Sequence, residues 1–271
     1  MPEGDTILRA ATRMHAALAG RTVTAFRSRL PALAMAARRH RVQGSVVTAV
    51  EARGKHLLVR FSTGAALHSH MGMTGRWHLY RVGSRWRKSE ALARVVLEAG
   101  DVIAVCFVPR VVELLPAADE AAHPALTRLG PDVLAPARDP APAVAGLRAR
   151  GQDEIGAAIL DQTALAGVGN IYKSESLFLS GVDPFARVAS LDDATLTRIV
   201  RTAMREMHRS VRDGTGEVDG QARGRYWVYR RSGQPCRRCG TIVTMARQGP
   251  LRRSTYWCAQ CQASNAASRV D

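Results

Sequence analysis

The sequence is short of acidic residues and of long apolar runs, and both scarcities limit the class of protein it can be. Only 23 Asp and Glu stand against 39 Lys and Arg in 271 residues, which gives a net charge of +16. This cation excess favours a polyanionic partner, because neutralising phosphates releases condensed counterions. No apolar run approaches the ~20 residues of a membrane-spanning helix, and no signal-peptide pattern begins the chain. We therefore expect a cytoplasmic protein without a membrane partner.

Acidic residues are absent from residues 220–270, where the basic excess is greatest. Ten arginines fall in this segment: Arg223, Arg225, Arg230, Arg231, Arg237, Arg238, Arg247, Arg252, Arg253 and Arg269. Concentrated charge indicates a contact surface better than total charge does, with general solubility as the alternative. The segment is predicted to contact the polyanion.

Four of the five cysteines form two Cys-x2-Cys pairs, Cys236/Cys239 and Cys258/Cys261, separated by 18 residues. This is the spacing of a tetrahedral four-thiolate zinc site, and disulfides are disfavoured in a cytosolic chain. Because four thiolates close the coordination sphere, the one zinc should be structural and should stabilise a hairpin too small to fold without it. The fifth cysteine, Cys106, lies in an apolar run and is predicted to be a buried small hydrophobe.

Hydrophobic content of 46% and the residue pattern predict a folded α+β chain of two domains. Residues 6–19 place apolar side chains on one face of a helix that Asp5 can cap and Gly20 can end. Short β-type runs follow at residues 22–27, 45–53, 56–61, 65–70, 76–81, 93–99 and 101–108. This spacing is typical of an antiparallel sandwich or barrel. Proline and glycine then mark a linker, after which residues 155–166, 168–179 and 191–212 have helical periodicity.

The first two of these later helices are joined by Gly167, Gly169 and Asn170. The glycines permit a tight turn, Asn170 is a favoured N-cap, and the free N–H groups of the next helix can bind an anion. The pattern predicts a helix–two-turn–helix arrangement that holds one phosphate, with a plain helical hairpin as the alternative.

The first residues suggest covalent chemistry. If Met1 is removed, Pro2 presents a secondary amine; a free α-amine titrates near pH ~8, so part of it is nucleophilic at neutral pH. Attack on a sugar aldehyde gives an iminium, which acidifies the neighbouring C–H and permits elimination. Glu3 offers a carboxyl group to carry protons. An ordinary chain start is the alternative.

Lys55, His68, His70 and Met73 are further candidates in the first domain. Lys55 lies at a predicted turn between strands, where it could meet a phosphate or a sugar or be only solvated. His68 and His70 share a strand face, a pair more typical of hydrogen bonding than of metal binding when no third ligand is near. Met73 lies in a glycine-flanked loop, where it could wedge between bases, with core packing as the alternative.

Six motifs, in this order along nearly the whole chain, resemble those of the formamidopyrimidine-DNA glycosylase/endonuclease VIII family. They are Pro-Glu-Gly-Asp-Thr at 2–6, Gly-Lys-His-Leu at 54–57, His-Met-Gly-Met-Thr-Gly-Arg-Trp at 70–77, Arg-Leu-Gly-Pro-Asp-Val-Leu at 128–134, the Leu-Asp-Gln to Gly-Asn-Ile-Tyr segment at 160–172, and the cysteine-bearing segment from Gly233 to Gln262. The resemblance implies a bifunctional glycosylase and abasic-site lyase that removes oxidised bases in base excision repair.

The resemblance also implies roles for residues at the matching positions. Among catalytic residues, Pro2 would be the Schiff-base nucleophile on C1′, Glu3 the proton donor for opening the sugar, Lys55 the proton donor in β-elimination, and Arg253 the arginine tied to the lesion phosphates and δ-elimination. Among DNA contacts, His70 and Asn170 would meet phosphates, Arg128 the DNA, Arg110 the orphaned base, and Met73 the gap left by the flipped nucleotide.

The start Pro-Glu-Gly-Asp-Thr is similar to the endonuclease VIII branch, which prefers oxidised pyrimidines. The formamidopyrimidine branch has a lysine near the place where this chain reads Ile-Gly-Ala-Ala at 155–158, and Pro-Arg-Arg-Phe-Gly where this chain has residues 107–112. Efficient removal of 8-oxoguanine is therefore not expected.

The predicted architecture is an amino-terminal antiparallel β-sandwich with a leading helix at 1–130, a linker at 131–150, a helix–two-turn–helix domain at 151–225, a zinc-finger β-hairpin at 226–264 and a tail at 265–271. Damaged DNA, double-stranded or partly single-stranded, would lie in the cleft between the domains of a nucleoid-associated monomer. Two alternatives stay open: a non-enzymatic zinc-ribbon protein that binds damaged DNA, and an abasic-site lyase without base excision. Retention of Pro2, Glu3 and Lys55 argues against the first.

Overall fold

The computed structural model describes residues 2–136, 139–213 and 226–263. The chain forms two compact units, Met1–Thr127 and Arg128–Asp271. Arg223, Arg225, Arg269 and the predicted tail 265–271 lie outside the described residues. None of the described helices is both long and apolar enough to cross a membrane.

The elements of each unit are as follows. The first unit contains α1 (Gly4–Leu18), β1 (Val23–Ser28), α2 (Pro31–Arg39), β2 (Val47–Arg53), β3 (His56–Phe61), β4 (Ala66–His70), β5 (Arg76–Arg81), β6 (Ala93–Ala99), β7 (Val102–Phe107), β8 (Val111–Leu115), α3 (Ala117–Ala122) and α4 (Pro124–Thr127). The second contains α5 (Ala141–Arg148), α6 (Ile155–Ala158), α7 (Asn170–Leu179), α8 (Asp193–Arg212), β9 (Thr244–Gln248) and β10 (Arg253–Trp257).

The first unit is an antiparallel β-sandwich with a leading helix, which confirms the predicted fold. One sheet has the strand order β1-β6-β7-β5 and the other has β2-β3-β4-β8. Both sheets and α1 contribute to one core, with Leu97 and Cys106 from the first sheet, Leu57 and Leu67 from the second, and Ile7 from the helix. Cys106 is fully buried there, as predicted, and this burial raises the pKa of its thiol.

Helix α1 holds the amino end of the chain against the sandwich. It begins at Gly4 with Glu3 at the N-cap position, so the prediction that Asp5 caps it is wrong. Asp5 lies in the first turn, where the helix dipole favours an acid, and it pairs with Arg9 at 3.4 Å. The apolar face of α1 packs on β2 and β3, so the residues just before Gly4 have a rigid support.

The sequence pattern does not predict α2 or β8. Strand β8 follows Val108, whose φ of 39° is left-handed, and Pro109, which cannot donate to a sheet. These two residues interrupt the apolar pattern, so the strand cannot be read locally. In the fold β8 pairs with β4 and places Glu113 opposite His68.

The second unit is organised around α7 and α8, which pack together and confirm the helices predicted at 168–179 and 191–212. The predicted linker contains α5, whose Val144 and Leu147 enter the core of this unit. The helix predicted at 155–166 is wrong in extent, because α6 ends at Ala158. Asp161 instead accepts hydrogen bonds from the backbone and hydroxyl of Thr163 at 2.9 and 2.8 Å, a local bond that competes with the helix.

Candidate functional site

Pro2 and Glu3 lie at the start of α1. Pro2 is half-buried, and Glu3 is only 1% exposed. Both residues are at the positive end of the α1 dipole, which disfavours a protonated amine at Pro2. Burial keeps the Glu3 carboxyl group away from bulk water, as a proton carrier in a defined site requires. Met1 lies outside the described residues.

Lys55 lies in the turn between β2 and β3, where the pattern places it. Arg53 pairs with His56 across the hairpin, which leaves a two-residue turn. Gly54 supplies the left-handed conformation of this turn with a φ of 56°. The half-buried Lys55 side chain is therefore carried by a short, rigid hairpin end in the same unit as Pro2.

His70, Met73 and Arg110 come together at one end of the sandwich. Arg110 N donates to the His70 carbonyl oxygen at 3.0 Å, and a Cβ atom added to Gly72 would lie 2.8 Å from Arg110 Cβ. Met73 is 68% exposed, whereas Met71 is 4% exposed, so Met71 packs in the core and Met73 does not. An exposed apolar side chain beside an exposed arginine suits insertion between bases.

A chain of polar groups, of which His56 and His68 are buried and Glu113 and His123 half-buried, lies beside His70, whose ring centroid is 4.9 Å from that of His56. His56 Nδ1 lies 2.8 Å from His68 Nε2, and His68 Nδ1 lies 2.8 Å from Glu113 Oε1. His123 Nε2 lies 3.2 Å from the same carboxylate oxygen. Since a carboxylate only accepts, His68 donates through Nδ1 and accepts the His56 N–H at Nε2. Ligand atoms of His68, Glu113 and His123 lie within 4.8 Å of one another, but these hydrogen bonds account for their arrangement.

His56 and His70 are neutral at pH 7. Burial, with help from neighbouring positive groups, lowers the pKa of His56 to about 3 and that of His70 to about 4. Gly72 N–H donates to His70 Nδ1 at 3.2 Å, which places the proton of the neutral ring on Nε2. His70 is therefore an uncharged N–H donor, suited to a phosphate oxygen.

Asn170 opens α7 in the second unit. The N-cap is Gly169, so the prediction of Asn170 as N-cap is wrong by one position. The Gln162 side chain bonds the backbone of the preceding turn at three points, at 2.9, 3.0 and 3.1 Å. Asn170 is 8% exposed, and its Oδ1 has no hydrogen-bond partner among the described residues. A buried amide oxygen without a hydrogen-bond partner indicates that a group from outside the protein binds there. If the amide oxygen and nitrogen of Asn170 exchange places, the side chain offers N–H groups to a phosphate.

Four cysteine sulfurs converge beside the β9–β10 hairpin. The Sγ atoms of Cys236 and Cys261 are 3.9 Å apart, those of Cys239 and Cys258 are 3.5 Å apart, and all four lie within 4.8 Å of one another. A tetrahedron with Zn–S bonds of ~2.3 Å separates its sulfurs by ~3.8 Å, so the donors fit zinc without rearrangement. The zinc is structural because these four donors close its coordination sphere.

The zinc hairpin is bonded to α7 through Lys173, which is fully buried. Lys173 Nζ donates to the Ser254 carbonyl oxygen at 3.0 Å and to Thr255 Oγ1 at 2.7 Å. Thr255 Oγ1 in turn donates to Gln248 Oε1 at 2.7 Å. The strand that begins at Arg253 is thereby fixed to the helix that begins at Asn170.

The other predicted contacts lie as follows. Arg253 is half-buried at the start of β10, whereas Arg252 is exposed at the hairpin tip. Arg128 is exposed and is the first residue of the second unit.

Sequence reasoning missed several buried or half-buried ionisable groups. Glu175 accepts backbone N–H bonds from residues 227–229 at 2.8, 3.0 and 2.9 Å, and burial raises its pKa. Lys173 and Glu175 are charged residues on a largely buried helix, a signal that the sequence does contain. Glu113 and His123 have no such signal, because only strand pairing brings them to His68.

Three family models match successive parts of the chain. They are the formamidopyrimidine-DNA glycosylase N-terminal domain at residues 1–109, the formamidopyrimidine-DNA glycosylase H2TH domain at 129–221, and the zinc finger found in FPG and IleRS at 233–263. Their order matches the sandwich, the helical segment and the zinc hairpin described above.

Curated relatives are similar over almost their whole length. "Probable endonuclease 8 2" of Streptomyces coelicolor is 42% identical over 98% of this chain and 95% of its own. "DNA-(apurinic or apyrimidinic site) lyase Nei2" of Mycolicibacterium smegmatis is 38% identical over 98% of this chain and 100% of its own. "Endonuclease 8" of Escherichia coli is 34% identical over 97% of this chain and 100% of its own.

Solved structures share the fold at lower identity. The formamidopyrimidine-DNA glycosylase of Lactococcus lactis, bound to DNA containing an AP site, superposes with a TM-score of 0.82 over 97% of this chain and 100% of its own, at 20% identity. MutM in complex with DNA containing carbocyclic 8-oxo-G has a TM-score of 0.83 over the same shares, also at 20% identity. With relatives above 30% identity along its whole length, the chain belongs to the formamidopyrimidine-DNA glycosylase/endonuclease VIII family and is closer to its endonuclease VIII branch.

Proposed function

We propose that this protein is a DNA glycosylase and abasic-site lyase of base excision repair, with Pro2 as its nucleophile. The observation that carries the proposal is the amino end, where Pro2 and the buried Glu3 are held by a rigid helix. Full-length similarity to proteins named as endonuclease 8 and as an AP lyase supports the same reaction.

The reaction begins when the Pro2 nitrogen, freed by removal of Met1, forms a bond to C1′ of the damaged nucleotide. The glycosidic C1′–N bond breaks, the base leaves with the bonding electrons and takes up a proton, and Glu3 protonates the ring oxygen as the sugar opens. The product is an iminium between Pro2 and C1′. Loss of a C2′ proton then expels the 3′ phosphate, and a second elimination expels the 5′ phosphate.

Lys55 and Arg253 act in the eliminations. Lys55, on its short hairpin, donates a proton during β-elimination, and Arg253 contacts the lesion phosphates during δ-elimination. The zinc takes no part in bond making; it orders the hairpin that carries Arg253.

The proposed DNA contacts are the residues at positions that match DNA-contacting positions of the family. His70 and Asn170 bind phosphates, and Arg128 binds the DNA backbone. Met73 fills the space of the flipped nucleotide and Arg110 meets the orphaned base, which suits an enzyme that must extrude its substrate base. The protein acts on damaged DNA as a monomer.

Oxidised pyrimidines are the proposed substrates. The proposal is supported by the start Pro-Glu-Gly-Asp-Thr and by similarity to proteins named endonuclease 8. A panel of thymine glycol and 8-oxoguanine in duplex, bubble and single-stranded DNA tests it, with preferential release of thymine glycol as the expected result. Preferential release of 8-oxoguanine would contradict it.

Borohydride trapping tests the nucleophile. Borohydride reduces an iminium to a stable amine, so the wild-type protein should become covalently bound to thymine-glycol DNA and to abasic DNA, and Pro2→Gly should lose both products. Glu3→Gln is the matched variant, because an abasic sugar already exposes its aldehyde; this variant should retain trapping on abasic DNA and lose it on thymine glycol. The proposed enzymatic activity would be refuted if wild-type protein, shown by mass spectrometry to lack Met1, did not trap.

A second candidate, an abasic-site lyase without base excision, is favoured by the relative whose name is an AP lyase. The lyase steps use the same amine, so trapping on abasic DNA does not separate the two. Release of free thymine glycol from duplex DNA by wild-type protein decides for the glycosylase, and trapping on abasic DNA without such release decides for the lyase.

A further inference from the structure

Helix α8 carries a row of arginines that no predicted catalytic or DNA contact uses. Five arginines, Arg198, Arg201, Arg205, Arg209 and Arg212, are exposed on this helix. We call them the arginine stripe. Every exposed residue of α8 from Arg198 to its end is an arginine.

The stripe lies along one face of the helix. Successive arginines are three or four residues apart, the spacing that places side chains above one another on a helix. The opposite face, including Leu196, Val200 and Met207, is buried in the core, which fixes the direction of the stripe toward solvent. The stripe spans 14 residue steps, or about 21 Å.

An ordinary solvated helix does not require this composition. Arginines at i and i+4 repel one another by about 0.2–0.5 kcal/mol per pair, whereas mixed acids and bases would stabilise the same face. Glu206 relieves part of the repulsion, because it pairs with Arg205 at 3.1 Å and Arg209 at 3.0 Å. The helix dipole favours Arg209 and Arg212 in the last turn, but it does not account for the arginines further up the helix.

The surface beside the first half of the stripe is concave. A shallow groove of about 570 Å³ is lined by Arg198, Arg201 and Arg205 together with Asp193, Ala194, Thr197 and Thr202, and the Asp193 carboxylate pairs with Arg148 at 2.7 Å. Guanidinium groups bind phosphates through paired N–H donors. The groove therefore offers both the charge and the room for a sugar–phosphate backbone.

We propose that the arginine stripe of α8 is a second DNA-binding surface, which holds the backbone of duplex DNA without regard to sequence or damage. This inference rests on the proposed function only in taking DNA as the polyanion. Because its contacts are phosphates, the stripe contributes to non-specific affinity and to the salt dependence of binding. Such binding retains the enzyme on undamaged DNA while it searches for a lesion.

The test compares two variants that remove the same charge. Arg198→Gln/Arg201→Gln/Arg205→Gln removes three positive charges from the stripe, and glutamine keeps the helix propensity. Arg38→Gln/Arg39→Gln/Arg41→Gln removes three from exposed positions at the end of α2 and just after it. The affinity for undamaged 25-base-pair duplex is measured by fluorescence anisotropy between 50 and 200 mM KCl for each variant.

The stripe variant should make the negative slope of log K against log salt concentration less steep by up to about 3, at about 0.9 per lost phosphate contact. The α2 variant should change it by much less, and Arg198→Lys/Arg201→Lys/Arg205→Lys should keep most of the wild-type slope. Equal slopes for the stripe and α2 variants, with circular dichroism showing both folded, would overturn the proposal and leave an acidic protein partner as the remaining use of the stripe.

Borohydride trapping on abasic DNA at saturating concentration separates this proposal from the enzyme assignment. The stripe variant should trap as well as wild type, since none of its changed residues belongs to the proposed catalytic set. Loss of trapping in the wild type itself would count against the proposed function and not against the stripe.

Discussion

Individual buried histidines connect the stability of the first unit to pH. The pKa of His56 is about 3 and that of His70 about 4 in the folded chain, against 6.5 for an unperturbed histidine. Below pH 6.5 the unfolded chain therefore binds protons that the folded chain rejects, so stability falls as pH decreases toward 4. Between pH 7 and pH 5 the shift of His56 should cost about 2 kcal/mol, and that of the more exposed His70 should cost less because solvent screens it.

Urea unfolding at pH 7 and pH 5 measures this loss, and His56→Asn should reduce it. Asparagine keeps an N–H donor for His68 but does not titrate. A loss of stability in His56→Asn equal to that of the wild type would show that His56 does not contribute to the pH dependence.

Glycine 72 is a single residue on which the Met73 loop depends. Its φ is 63°, and a Cβ atom there would lie 2.8 Å from Arg110 Cβ. Gly72→Ala should therefore displace Arg110 or the loop, in addition to the roughly 1 kcal/mol of left-handed strain. We expect Gly72→Ala to weaken the affinity for lesion DNA several-fold more than its loss of thermal stability alone would.

Gly83→Ala is the matched control for this change. Gly83 has a φ of 80° but open space around its Cβ position, so it has the backbone strain without the contact. Both variants are compared by thermal unfolding and by affinity for thymine-glycol duplex. Equal effects on DNA affinity would mean that the contact with Arg110 has no role.

At the scale of elements, Lys173 determines how helix α7 and strand β10 are joined. Lys173→Met removes the donor for the Ser254 carbonyl oxygen and Thr255 Oγ1 while keeping an unbranched side chain. Unsatisfied buried acceptors cost about 1–3 kcal/mol each, so the second unit should lose stability. If Lys173 also positions Arg253, then Lys173→Met and Arg253→Ala should be non-additive in their effects on DNA affinity.

A double-mutant cycle measures this coupling, with Lys88→Met as the control for loss of a lysine. Lys88 lies in the first unit and is half-exposed. Strict additivity of Lys173→Met with Arg253→Ala would reduce Lys173 to a purely structural residue. Non-additivity that is absent with Lys88→Met would establish the positioning role.

At the scale of the whole molecule, zinc separates binding from chemistry. The hairpin core beside the metal is small and includes Phe178, Val228 and Val243, so its fold should depend on the metal. Chelation or Cys236→Ser should weaken affinity for DNA, while trapping on abasic DNA at saturating concentration persists, because Pro2 belongs to the other unit. Unchanged affinity after proven loss of zinc would contradict the role of the hairpin.

Cys106→Ala is the control for cysteine loss. Cys106 is buried in the sandwich core and is not a zinc ligand, so this variant should retain one zinc per chain by elemental analysis. Its DNA affinity should match that of the wild type when both are folded.

The sequence by itself determined the features whose cause is local. The spacing of Cys236 to Cys261 specified a zinc site because both ligand pairs lie on short turns, and apolar alternation specified the strands of the sandwich. The amphipathic pattern predicted α7 and α8 because their periodicity is long and regular. The family motifs placed the candidate site residues, although the roles of those residues remain predictions.

Only the tertiary structure decided the features that join distant parts of the chain. Strand pairing brought Glu113 opposite His68, and packing of α7 on β10 buried Lys173 against the strand of Arg253. The local sequence pattern indicates which residues can be buried. It does not indicate which residues they contact, because those belong to chain segments that meet only after the backbone has folded.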